Sequence, residues 1–347
     1  MKTIRRILSF AAALCLLFTA QTAAGAEEVE EDERFEGKTW DEVIENFLSE
    51  HDIAPEKVAL GYKNTVTGEE HYLNGDEYHI AASMQKVPLN MIYTEKIYNG
   101  EMTTETEISG VAYGKMLEWS IVNSDNSMTW LLWNNLGTFR EYREILAPYM
   151  GEDPETVDPK FLKDNYFTAR EVIYCLNLLQ TQSERFPGVI DAMLRAEPDN
   201  YFKHHEQSCE VAHKYGYLWA GYTLYVNDCG IAFTDEPIVL VMFTLSVPKS
   251  SDVLADYCTL MIDYAQYHTA KTRAEEEKKA EEERAAEEAE KAKKAEEAAE
   301  QETATAEPIA AEGDAETVFD AQKLAVPAGI LLILALVYIF ILQKRKK

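Results

Sequence analysis

Ser83 and Lys86 stand three residues apart in Ser83-Met84-Gln85-Lys86, and two further triplets come later in the chain, Ser124-Asp125-Asn126 and Lys214-Tyr215-Gly216. A serine hydroxyl is a weak nucleophile until a base takes its proton and donors hold the oxyanion that forms. Residues three apart lie one turn apart on one face once a helix begins, so Lys86 can serve Ser83. In a dry cleft near other cations its pKa would fall, which suits a base. A helix N-terminus adds backbone N–H groups beside the developing negative charge. These residue types point to acyl transfer.

The later triplets can complete that chemistry. The Ser124 hydroxyl can pass a proton between Lys86 and a leaving group, and the Asn126 amide can hold both a substrate carbonyl and the lysine. Asp125 is suited to bracing the loop through backbone N–H groups. Lys214 can offer a fixed positive charge to a substrate carboxylate or to the proton relay, and Gly216 lets a substrate backbone approach closely. Each triplet alone is ordinary: a surface pattern, a helix-capping cluster, a strand with one lysine. Their meaning lies in their order and in the elements that carry them.

Period and turn chemistry mark those elements. Trp40, Val43, Ile44 and Phe47 recur at helical spacing. Lys57 to Tyr62 and Glu69 to Leu73 flank Asn64-Thr65-Val66-Thr67-Gly68 as a β-hairpin. Ser83 opens a helical pattern through Tyr98, with Pro88 near its first turns. Tyr113 to Val122, Thr129 to Leu136 and Phe139 to Tyr149 continue as helix, and Thr168-Ala169-Arg170-Glu171 is a capping box for another. Val211 to Leu218, Tyr222 to Phe233 and Ile238 to Val247 read as strands, with Asn227-Asp228 and Asp235-Glu236-Pro237 as irregularities or turns. Ser251 to His268 returns to helix. The order implies an α+β architecture in which the last helix packs on an antiparallel sheet drawn from both ends of the domain, beside an all-helical subdomain.

The flanks read differently. Residues 1–26 have a basic start, an apolar run and small residues at Ala24-Gly25-Ala26, the pattern of a secretory signal peptide. Residues 27–38 form an acidic leader without periodicity, read as disordered. The catalytic unit is expected over 39–269. A charged Ala/Glu/Lys stalk and linker continues over 270–323, with alanine in place of a leucine stripe, so a coiled coil is not expected. Residues 324–342 are apolar and long enough to span a bilayer, and the basic tail 343–347 is then cytoplasmic. The expected location is the cell membrane, single-pass, with the catalytic domain outside.

The formal charge of −28 argues against nucleic acid and against anionic lipid as partners of the ectodomain. Cys175, Cys209, Cys229 and Cys258 lie in the exported part, and four cysteines allow three pairings. Cys175 and Cys258 sit in apolar helical patterns that suit buried free thiols. His213 and His204-His205, with Cys209 nearby, lack the paired spacing of a zinc site and read as exposed loop histidines. No metal or cofactor is implied.

With the three motifs in hand, the stretch from about Val58 to Asp263 resembles the class A β-lactamase-like catalytic domain, including its penicillin-binding relatives. The resemblance implies Ser83 as acylated nucleophile, Lys86 as base, Ser124 as proton shuttle, Asn126 as substrate clamp and Lys214 as electrostatic anchor. It also implies an oxyanion hole from the backbone N–H groups of Ser83 and Tyr217. Two departures stand out. Tyr215 replaces the usual Thr or Ser of the third motif, whose hydroxyl helps bind a substrate carboxylate. Between Met150 and Phe167, Glu152 and Glu155 lack the usual setting of the glutamate that activates a deacylating water. The implied function is a membrane-anchored serine hydrolase or acyl transferase acting on peptidoglycan-like peptides or β-lactams. The alternatives are a β-lactamase proper and a non-enzymatic, ligand-trapping module.

Overall fold

The computed structural model describes residues 31–304. The signal peptide, the start of the leader, the linker after 304, the apolar stretch 324–342 and the basic tail lie outside the described residues. Among the described residues no helix is long and apolar enough to cross a membrane. The chain divides into two units, Met1–Glu282 and Glu283–Lys347, and the three motifs fall in the first.

Helix α1 (Trp40–Glu50) begins at a capping box in which Thr39 and Glu42 satisfy each other's backbone N–H groups. Its buried face is Trp40, Val43, Ile44, Phe47 and Leu48. Strands β1 (Val58–Asn64) and β2 (Glu70–Leu73) form the expected hairpin. Three strands near the other end of the unit, β7 (Val211–Ala220), β8 (Thr223–Ala232) and β9 (Ile238–Thr244), complete a five-stranded antiparallel sheet ordered β2-β1-β9-β8-β7. The join is β1 to β9, in register from Val58↔Thr244 to Asn64↔Ile238. Alternation along each strand feeds two cores. Leu60, Leu240 and Met242 pack with Phe47, Tyr257 and Met261, while Ala59, Val239, Val241 and Phe243 pack with Val87, Ile173 and Leu176.

The second core belongs to the helical middle: α2 (Lys86–Tyr98), α3 (Tyr113–Ile121), α4 (Asn126–Asn135), α5 (Phe139–Leu146), α6 (Pro159–Lys163), α7 (Ala169–Thr181) and α8 (Val189–Leu194). The capping box Thr168/Glu171 starts α7 as expected. Short pairs without a signature in the sequence stitch the subdomain: β3 (His79–Ile80) with β6 (Tyr166–Phe167), and β4 (Glu107–Ile108) with β5 (Val111–Ala112). Helix α9 runs Ser250–Ala304 and passes the expected domain edge at Thr269 without a break.

Three expectations are corrected. The described part of the leader is ordered: Phe35 is buried against Tyr264 and Tyr267, and Arg34 bonds Asp263 at 2.8 Å. Asn227 and Asp228 are not a strand irregularity but lie fully buried within β8. They are tolerated there because their side chains complete the backbone bonds of other segments. Asn227 donates to Ile80 O at 2.8 Å and accepts from Thr244 N at 3.0 Å. His213 is no exposed loop residue either: it is buried in β7 with Nδ1 2.7 Å from Asp228 Oδ2. The described cysteines, Cys175, Cys209, Cys229 and Cys258, are all free, and only Cys209 among them is not buried.

Asn227 ties the sheet to the segment leading into Ser83. Asn227→Ala should cost about 1–3 kcal/mol for each backbone group it leaves unpaired, Ile80 O and Thr244 N. The check is a lower denaturant midpoint with an unchanged m-value.

Candidate active site

Ser83 lies in a 3-10 turn, Ala82–Gln85, and the α-helix starts only at Lys86. The tighter turn replaces the helix start expected at Ser83, and it suits the pair, because residues i and i+3 eclipse in 3-10 geometry. Ala82 is held at φ 50°, a left-handed conformation that L-residues seldom adopt. What holds it is close packing on both sides. Asn165 donates from Nδ2 to Ala82 O at 2.8 Å, and its own carbonyl accepts from Ala81 N at 2.9 Å. On the other side is Gly216, where an added Cβ would sit 2.3 Å from Ala81 O and 3.2 Å from Ser83 N. The glycine is therefore required by the chain's own Ser83 turn, not by an incoming substrate backbone as its position in the sequence suggests.

Lys86 is 1% exposed, and its Nζ meets three acceptors: Ser124 O at 2.6 Å, Ser124 Oγ at 3.1 Å and Asn126 Oδ1 at 2.9 Å. Burial lowers its pKa to about 8, opposed by the nearby Asp125 carboxylate. Ser124 sits at φ 55° between α3 and α4, and in that conformation its carbonyl and its hydroxyl both face the lysine. Asp125 caps α4, accepting from Met128 N at 2.8 Å, which is the bracing role its type suggested. Behind them a buried polar set fixes α2 to α3: Asn90 donates to Lys86 O at 2.8 Å and to Ser120 Oγ at 3.1 Å, and Tyr113 OH reaches Asn90 Oδ1 at 3.2 Å.

Lys214, on the edge strand β7, is fully buried. Burial and the neighbouring Lys86 lower its pKa to about 7. It is thus not the fixed charge expected of it. Its Nζ contacts Tyr215 O at 3.3 Å and lies 3.9 Å from the centroid of the Tyr215 ring. That ring stacks on Tyr201 at 4.6 Å between centroids and 22° between planes. The Tyr217 side chain is half-exposed, with its hydroxyl accepting from Trp219 Nε1 at 3.0 Å, while its backbone continues from Gly216 beside the Ser83 turn. So Ser83, Lys86, Ser124, Asn126, Lys214, Tyr215, Gly216 and Tyr217 all fall around one turn.

Glu152 and Glu155 are placed otherwise. Glu155 is exposed, and Glu152 lines a cavity of about 330 Å³ with Tyr78 and Glu171. Burial raises the carboxyls of Glu152 and Glu171, the latter to about 7. From the 150–167 stretch, Asn165 bonds the Ser83 turn, and its Oδ1 is buried without a hydrogen-bond partner. Sequence reasoning missed it, since it carries no motif. The stretch is anchored by the buried Arg143, which lies against the Phe161 and Phe167 rings and donates to Phe161 O at 2.7 Å and Tyr166 O at 2.8 Å.

A model of the β-lactamase enzyme family matches residues 40–256. Solved structures share the fold at low identity. A β-lactamase from Chitinophaga pinensis is 16% identical, with TM-score 0.52, covering 64% of this chain and 97% of its own. An ancestral class A β-lactamase (GNCA) is 16% identical, with TM-score 0.54, covering 63% and 97%. The TLA-3 extended-spectrum β-lactamase is 13% identical, with TM-score 0.53, covering 64% and 96%. No curated protein matches.

The charge of Asp125 is separable from its capping, because asparagine caps equally well. Asp125→Asn should move the Lys86 pKa further below about 8, since the substitution removes the one charge that opposes burial. An NMR titration of the lysine ε-carbons reads it; an unchanged or raised value would contradict this electrostatic account.

Proposed function

The chain belongs to the β-lactamase enzyme family, and from that premise we propose that Ser83 takes up an acyl group from a β-lactam or a peptidoglycan-like peptide. The observation that carries this reading is a buried lysine whose amine is shared with Ser124 and Asn126, one 3-10 turn from a partly exposed serine. Neutral Lys86 takes the Ser83 proton as Oγ attacks the carbonyl carbon. The backbone N–H groups of Ser83 and Tyr217 hold the oxyanion. The proton then passes through Ser124 Oγ to the leaving group, and Asn126, with its oxygen committed to Lys86, offers its NH₂ to the acyl carbonyl.

Release of the acyl group is the weak step. It needs a water held by a group that can take its proton. The side chain that the 150–167 stretch offers to the Ser83 turn is Asn165, an amide, which can orient a water but cannot deprotonate it. The adduct should therefore outlive its formation, as in a penicillin-binding peptidase more than in a fast β-lactamase.

Incubating the full chain with a fluorescent penicillin and tracking intact mass over time tests these points together. Ser83 should carry the adduct, Ser83→Ala should abolish it, and the adduct should persist for many minutes. Its formation should speed up as pH rises through about 8, because the protonated amine has no lone pair and Lys86 acts only once it has lost a proton. Labelling of Ser83→Ala would refute the nucleophile, and rapid repeated hydrolysis would make the protein a true β-lactamase.

We also propose display outside the cell from a membrane anchor. Support comes from the basic, apolar N-terminal stretch and from the apolar run 324–342 ahead of Lys344-Arg345-Lys346-Lys347. The full chain should fractionate with membranes and be freed by proteolysis between 270 and 320; an intact soluble exported chain would refute the anchor.

A further inference from the structure

We infer that this site is built for acyl donors whose leaving group carries no carboxylate, and that Tyr215 sets the preference; the inference rests on the acyl-transfer reading above. A carboxylate on the leaving side needs a cation it can reach. Lys86 is 1% exposed, and its Nζ is engaged by Ser124 O, Ser124 Oγ and Asn126 Oδ1. Lys214, the cation of the third motif, is 0% exposed. Its Nζ lies against the face of the Tyr215 ring at 3.9 Å, where a cation–π contact replaces part of its lost hydration.

The ring is not free to swing away. It is stacked on Tyr201 at 4.6 Å. Tyr201 is itself at φ 57°, a conformation that persists only where surroundings over-determine it, and its N–H bonds Asn200 Oδ1 at 2.9 Å. A small hydroxyl residue at this position would leave the ammonium open and add a donor for an anion. The tyrosine fills that space with an apolar face. Burial and the nearby Lys86 also bring Lys214 to a pKa of about 7, so the covered amine is only partly charged at neutral pH.

The long-range field acts in the same direction. Between Thr39 and Thr269 there are 36 acidic and 15 basic side chains, which repels an anionic donor before it arrives. The donors favoured are neutral on the leaving side, a peptide cleaved at an internal bond or one ending in a carboxamide, while a penicillin, whose ring carboxylate lies on the leaving side, acylates Ser83 more slowly.

The test uses two thioesters of one acyl peptide, with a leaving thiol that ends in a carboxylate in one and in a carboxamide in the other. In each, the Ser83 Oγ–acyl bond forms, the C–S bond breaks, and the Ser83 proton leaves on the thiol. Thiol release and the Ser83 adduct mass are read on the full chain, at high salt to screen the long-range field. The wild-type chain should prefer the carboxamide donor by about tenfold or more in kcat/KM. Tyr215→Thr should shift the ratio toward the carboxylate by about tenfold or more, through KM more than kcat. Tyr201→Ala, which keeps the ring but removes its stacking partner, should shift it the same way by less, and it serves if the first variant fails to fold. Acylation of Ser83 with the carboxylate donor preferred in the wild type, or a ratio unmoved by both variants, would overturn this inference alone. Failure of both thioesters and of a penicillin to acylate Ser83 would overturn the acyl-transfer reading, and this inference with it.

Discussion

An ammonium group taken out of water loses hydration worth several kcal/mol, and the loss must be met by other polar atoms in good geometry. Lys86 is in that position, and three oxygens meet it. Two of them belong to Ser124 and one to Asn126, so a single buried amine joins the start of α2 to the α3–α4 loop. The arrangement constrains everything nearby. Ser124 must adopt a left-handed backbone to turn two oxygens toward one nitrogen. Asp125 must cap α4 while its charge moderates the lysine. Asn90 must hold the Lys86 carbonyl at the same time as Ser120. Removing the amine would leave several of these groups unpaired at once.

The Ser83 turn is constrained from a different direction. Ala82, like Ser124 and Tyr201, has positive φ, and each of the three adjoins a residue of the site. Such positions cost on the order of 1–3 kcal/mol apiece and survive only when packing leaves no alternative. For Ala82 the packing is the missing side chain of Gly216 on one side and the Asn165 amide on the other. Asn165 in turn depends on Arg143, whose guanidinium replaces water with two carbonyls and two aromatic faces. The strain at the site is thus balanced by buried polar contacts well outside it.

Much of this was legible in the sequence. The hairpin, the apolar face of α1, the capping box at Thr168 and the three late strands come from period and cap chemistry, which act over a few residues. The family resemblance came from three short motifs whose order no local rule explains. What could not be read were the roles of groups satisfied by distant partners. Asn227 and Asp228 have the composition of a turn, and only Ile80, Thr244, Phe202 and His213 make them strand residues. Phe35 looks like part of a charged tail until Tyr264 and Tyr267 cover it. Tyr215 was visible as a departure from the motif, but its contact with Lys214 and its stacking on Tyr201 depend on tertiary geometry.

The placement of the thiols has a bearing on chemical selectivity. A thiolate is intrinsically a far better nucleophile than a serine hydroxyl, so a domain that handles acylating electrophiles risks side reactions at cysteine. Here Cys175, Cys229 and Cys258 are buried, and burial raises their pKa well above the ordinary thiol value. Even the half-covered Cys209 is shifted upward by burial. Three of these four thiols are hidden and the pKa of all four is raised, whereas Ser83 is partly open to solvent one turn from an amine whose pKa burial lowers to about 8. In the proposed acyl transfer, this placement directs reactive carbonyls to an oxygen.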